Sequence, residues 1–138
     1  CFYSKKKYFY DKNIKISKDK NIFLTKIIEY FSFKNYVFYG IDSNIIAFLD
    51  TKLQKAKAQE KADLIILEQL NSLPKIDEIY HQMHNDSLLL IIEPYRKNYS
   101  FFNKIKQNLS FTVIIDTFDF ALFFIRKEQL REFFIIRR

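Results

Sequence analysis

The period of apolar positions changes repeatedly along the chain, and each change marks an element. Ile22, Phe23, Ile27, Tyr30 and Phe31 recur at helical spacing. They predict a helix capped by Ser17 or Asp19 and running to about Phe33. Tyr36–Tyr39 is a short apolar run ending at Gly40, read as a strand and a turn. Asp42 or Ser43 then caps a second helix, predicted to reach about Lys61. Its first half carries Ile45, Ile46, Phe48, Leu49 and Leu53, and its second half, QKAKAQEK, is polar and rich in helix formers.

Two later stretches, Asp63–Leu67 (DLIIL) and Ser87–Ile92 (SLLLII), are continuously apolar. A strand can read this way only when both of its faces are covered. Between them Pro74 opens a predicted helix to about His84. After Pro94 an aromatic and basic helix is predicted over residues 96–108. Phe111–Asp116 and Phe120–Ile125 read as strands joined by a hairpin-like TFD, and RKEQLRE as a helical turn before a last strand, Phe133–Arg137. Residues 1–16 mix Lys with aromatics without a period and read as an extended arm. Strands alternating with helices predict one α/β domain over residues 1–138. Its sheet is Rossmann-like, mostly parallel and covered by helices on both faces, with antiparallel strands at its C-terminal end.

Composition changes this picture in a few places. Gly40 is the only glycine, so nearly all turns fall to Asn, Asp and Ser. The net charge of +7 could favour anionic partners, nucleic acid or anionic membrane among them, but a lysine-rich solvated surface is the better account of it. The single cysteine excludes an internal disulfide framework. No apolar run approaches the ~18–20 residues of a membrane helix, and the reading is of a cytoplasmic protein. Cys1 at the head of the chain is compatible with a lipid anchor, but bulky Phe2 and Tyr3 follow where a tether is more often small and polar.

Three groups of residues are candidates for chemistry. Glu68 and Glu93 end the two continuous strands, where sites form in open α/β sheets, and either could act as a base. Asp77, His81 and His84 fall at i, i+4 and i+7 of the predicted helix, a spacing able to hold Zn, though beside an apolar stripe that turns them toward solvent. Arg96, Lys97, Lys104 and Lys106 interleave with aromatics as single-stranded nucleic-acid binders do. Tyr99, Phe102, Ile105 and Leu109, however, form a stripe that reads as core. No P-loop, Ser–His–Asp arrangement, CxxC pair or EF-hand is present.

The C-terminal stretch TVIIDTFDFALFFIRKEQLREFFIIRR resembles the end of a group of class I SAM-dependent methyltransferases, with the pattern I-D-T-F-x-x-G-x-x-F-x-R-K-E-Q-x-x-x-x-F-x-I-R. The matching positions are Ile115, Asp116, Thr117, Phe118, Phe124, Arg126, Lys127, Glu128, Gln129, Phe134, Ile136 and Arg137, with Ala121 at the small position. CFYSKKKY, IFLTKIIEYFSFKNYVFYG and ADLIILEQLN resemble an early segment, the helix and first strand before the cofactor loop, and the fourth strand of that family. The resemblance thus covers most of the chain in patches.

It implies that Gly40, Asp42, Ser43 and Asn44 stand where an E-x-G-x-x-x-G loop would hold SAM. Here Phe38 replaces the acid, and Asn44, with a Cβ, replaces the later glycine. Only 22 residues separate Gly40 from Asp63, enough for one helical crossover but not for the family's second and third strands with their helices. The first strand is therefore expected at an edge, covered by the N-terminal arm or a partner. The expectation is a methyltransferase-like protein with a vestigial cofactor loop, working through a protein partner or as a homo-oligomer. An active SAM enzyme with a reduced or shared site, and a basic module for nucleic acid or anionic membrane, are the alternatives.

Overall fold

The computed structural model describes residues 17–69 and 74–137. The N-terminal arm predicted over residues 1–16 lies outside them. Eleven elements follow one another: α1 (Lys18–Phe31), β1 (Asn35–Tyr39), α2 (Ser43–Asp50), β2 (Gln54–Lys55), β3 (Ala62–Leu67), α3 (Ile76–His81), β4 (Met83–Ile92), α4 (Tyr99–Lys106), β5 (Val113–Asp116), β6 (Phe120–Phe124) and β7 (Glu132–Ile135). The strands form one sheet in the order β2-β1-β3-β4-β6-β5-β7. Only β6 runs against the rest: it is antiparallel to β4 and β5, and all other neighbours are parallel. The fold is the α/β, Rossmann-like sheet expected from the pattern.

Alternation along the strands divides the core in two. Leu64, Ile66, Leu88, Leu90 and Leu122 face α1 and α2, whereas Ile65, Leu67, Leu89, Ile91 and Phe123 face α3 and α4. This is why DLIIL and SLLLII lack polar alternation: a helical layer dries each face. Burying each such side chain contributes about 1.5–3 kcal/mol. Phe23 of α1 stacks on Phe120 of β6 at 4.0 Å, which seats α1 across the sheet. The Ser17 side chain accepts the Lys20 N–H and caps α1, as its sequence position suggests.

Several expectations are corrected. The second helix ends at Asp50, not Lys61. Lysine- and alanine-rich residues with good helix propensity are drawn instead into edge pairing: Gln54 N–H donates to Lys34 O and Ala56 N–H to Tyr36 O. The following turn closes with Gln59 at φ 66° and the Glu60 carboxylate on Lys57 N–H and Asn35. Propensity, worth tenths of a kcal/mol per residue, yields here to tertiary pairing. The first strand is consequently not at an edge, because the two-residue β2 lies outside it. The third helix stops at His81, and β4 begins at Met83 rather than Ser87. Tyr30, expected on the apolar face of α1, and Tyr99 and Leu109, expected in the core, are exposed. Tyr99 is the first residue of α4 and Leu109 lies past its end, so neither lies on the buried stripe of Phe101, Phe102 and Ile105.

Candidate functional site at the carboxyl ends of the strands

β1 and β3 are parallel neighbours whose connections leave in opposite directions. β1 continues through α2 toward β2, and β3 through α3 toward β4, with α2 and α3 on opposite faces. Such a switch point opens a crevice at the strand C-termini, the usual ligand position in open α/β sheets. Gly40 and Glu68 stand on its two lips.

Glu68 fills the turn. It is only 3% exposed, and its Oε1 accepts the N–H groups of Ile41 and Asp42 at 3.0 and 2.9 Å. Its own N–H donates to Tyr39 O. Consecutive N–H groups before a helix form a concavity suited to an anion. In this chain the anion is a side chain of the next strand. Gly40 is dictated by space, not by backbone angle, since its φ is not positive. A Cβ there would lie 2.7 Å from Glu68 Oε1, 2.7 Å from Phe38 Cζ and 2.8 Å from Glu68 Cβ. Asp42 caps α2 by accepting the Asn44 N–H at 2.9 Å, while Ser43 is exposed at the first helical position.

The second candidate acid is not joined to the first. Glu93, at φ 50°, turns its carboxylate to Lys97 at 3.3 Å and Arg96 at 4.0 Å. Between the two strand ends sits Asn98, whose buried amide donates to Glu68 O at 2.9 Å and Ile92 O at 2.7 Å. The two carboxylates are therefore held in separate structural roles.

Beside Gly40 a groove of about 310 Å³ opens where β2 stops short along β1, lined by Phe38, Ile46, Lys55 and Ala56 among others. It is at the small end for a ligand pocket. Among the described residues no acidic side chain lines it, and β2 ends there in Lys55, followed by Ala56. The nearby acid Glu60 is committed to Asn35 at the opposite end of β1. Glu68 thus occupies the N–H groups of the turn, and Lys55 is the charged residue of the groove.

The histidine cluster is dispersed. His84 lies on β4, not on the helix with Asp77 and His81. Its Nδ1 accepts the Asp86 N–H at 3.1 Å, so Nε2 carries the proton and donates to Asp63 Oδ1 at 2.7 Å. Both ring nitrogens are thereby used. His81 donates from Nδ1 to the Asp77 carbonyl at 2.6 Å. Among the described residues no group of three or more His, Cys, Asp or Glu is placed to hold a metal. Burial works against ionisation of Asp63, but hydrogen bonds from His84 and the Lys34 N–H outweigh it and hold its carboxyl below the usual range.

One polar centre was visible in the sequence only as part of the C-terminal pattern. Asp116 is fully buried, accepts the Phe118 N–H at 2.8 Å and the Tyr95 hydroxyl, and pairs with Arg137 at 3.3 Å. Burial and the Asp116 acceptor raise the Tyr95 pKa. Thr117 closes the β5–β6 turn on Phe120. At the other end of the sheet Asn85 receives the Lys127 N–H and donates to Glu128, and Arg126 lies over the Phe124 ring. Asp116, Thr117, Arg126, Glu128 and Arg137 of the I-D-T-F…R-K-E-Q…I-R pattern thus make side-chain contacts that fix the C-terminal strands. Sequence reasoning missed Asn98, because an isolated Asn between a turn and a helix carries no distinguishing signal.

No protein-family model, curated protein or solved structure matches the chain significantly. No helix among the described residues is long and apolar enough to cross a membrane.

Proposed function

We propose that the chain is a SAM-dependent methyltransferase-like protein that has lost most of its cofactor site and acts through its surface, by self-association or as a subunit of a complex. The observation that carries this reading is the Glu68 carboxylate seated on the Ile41 and Asp42 N–H groups, in the turn that a cofactor would need. The sheet, with its reversed strand near the C-terminal end, and the clamping role of the C-terminal pattern support the ancestry. The groove of about 310 Å³ beside Gly40 favours the second reading, an enzyme with a reduced or shared site.

Isothermal titration of SAM and S-adenosylhomocysteine into the purified protein separates the two. The proposal expects no heat and no thermal shift at millimolar ligand. Micromolar binding would overturn it and make FYGIDSN a working loop.

A further inference from the structure

Three surplus residues interrupt the pairing of β3 with β4. From Ala62 to Leu64 β3 advances two residues, while β4 advances five, from Met83 to Leu88. His84, Asn85 and Asp86 therefore bulge from the ladder, with Asn85 and Asp86 exposed. Bulges re-aim side chains, and one of this size between parallel strands is unusual.

The hydrogen bonds of the bulge converge on one imidazole. His84 Nε2 donates across to Asp63 Oδ1 at 2.7 Å, and Nδ1 accepts the Asp86 N–H at 3.1 Å. The base is pinned separately by Ser87 Oγ, which accepts the His84 N–H and donates to Ala62 O. From the middle of the bulge Asn85 reaches the segment after β6. It accepts the Lys127 N–H and donates to the Glu128 carboxylate.

A second proton on the ring breaks this arrangement in one place. Nδ1 becomes a donor and meets another donor, the Asp86 N–H. Turning the ring over brings no relief, because both nitrogens of a charged imidazole carry protons. The Asp63 contact survives and becomes an ion pair. The Asn85–Asp86 peptide then has to rotate its N–H away, and Asn85 moves with it. Histidine is the side chain whose charge ordinarily changes between about pH 5 and 8. The other charged groups around His84 are Asp63 of β3, Lys61 before it, Asp86 in the bulge, and Lys127 and Glu128 after β6, and His81 of α3 lines the same cleft. The Asp63 and Glu128 carboxyls both lie below the usual range and stay ionised across that window.

We propose that the β4 bulge is a pH-responsive latch: protonation of His84 detaches the Asp86 N–H and loosens the hold of Asn85 on Lys127 and Glu128, freeing the segment that leads from β6 into β7.

The test is a series of ¹H–¹⁵N spectra of the full chain from about pH 8 to about pH 5, following the His84 ring, the Asp86 amide and the Asn85 side-chain amide. The expected result is that the Asp86 and Asn85 signals move with the midpoint of the His84 ring. Protection of the Asp86 amide, corrected for the intrinsic pH dependence of exchange, should fall about fivefold, the worth of one ordinary hydrogen bond. The amides of Leu89 and Ile91 should not change. His81→Gln should keep the response, and His84→Gln should abolish it. A His84 ring that titrates while the Asp86 and Asn85 signals stay still overturns the inference. So does a ring that stays neutral to the acid end of the series, and so does a response that survives His84→Gln or is lost in a folded His81→Gln. The parent chain alone gives the first two of these outcomes, so a variant that misfolds leaves the test decisive.

Discussion

Replacing Gly40 by alanine tests whether Glu68 truly closes the crevice. The added methyl meets Glu68 Oε1 and Phe38 Cζ at 2.7 Å and Glu68 Cβ at 2.8 Å. The Cβ contact matters most, because Glu68 is anchored by its backbone to Tyr39 and Asn98 and cannot retreat as a free side-chain end would. Overpacking of this kind costs about 1–3 kcal/mol. Pushing the carboxylate off its two N–H donors adds part of the about 1.5–3 kcal/mol that each hydrogen bond to a charged group is worth. The turn is half-buried and water replaces some of this, so Gly40→Ala is expected to cost about 2–4 kcal/mol. Glu68→Ala leaves the Ile41 and Asp42 N–H groups without their acceptor and should cost about 1–3 kcal/mol. In the double variant the new methyl no longer meets Glu68. Its loss should therefore fall short of the sum by about 1–2 kcal/mol, the coupling of residues in contact. Urea unfolding of the four proteins gives all three numbers. Additivity within about 0.5 kcal/mol, or a Gly40→Ala cost below that, would refute the packing argument.

Two further predictions concern charged groups away from the crevice. Asp63 has a lowered carboxyl pKa in the fold. Its contribution is fully present above the unfolded value of about 3.9 and is lost as pH falls through the folded value. The urea midpoint of the parent should drop across that acid window, and Asp63→Asn should flatten the drop, whereas equal slopes would contradict it. Arg137→Ala removes the cation facing the fully buried Asp116. Because Arg137 itself is half-exposed, the expected cost is about 1–2 kcal/mol by urea unfolding, well below that of breaking a wholly buried pair.

Much of this fold was legible because its strands are covered on both faces. DLIIL and SLLLII can hardly be anything other than central strands, and the Ser17 cap and the apolar spacing of Ile27 place α1. Legibility failed where local preference and tertiary pairing disagree. QKAKAQEK has the composition of an exposed helix, yet its backbone is drawn to the open side of β1, giving β2 and moving the first strand inside the sheet. His84 missed its predicted face because β4 extends four residues before its apolar run, held at that end by the Ser87 hydroxyl on the Ala62 carbonyl.

The sequence by itself determined the class of fold, the two-sided core, the turn at Gly40 and the positions of Glu68 and Glu93 at strand ends. Each follows from short-range periodicity and from where an apolar run stops. Only the tertiary structure decided what those positions do. Glu68 lies 28 residues from Gly40, and its closure of the turn depends on the parallel register of β1 and β3, which no local pattern encodes. The same holds for Asp116 and Arg137, brought together by β7 lying alongside β5.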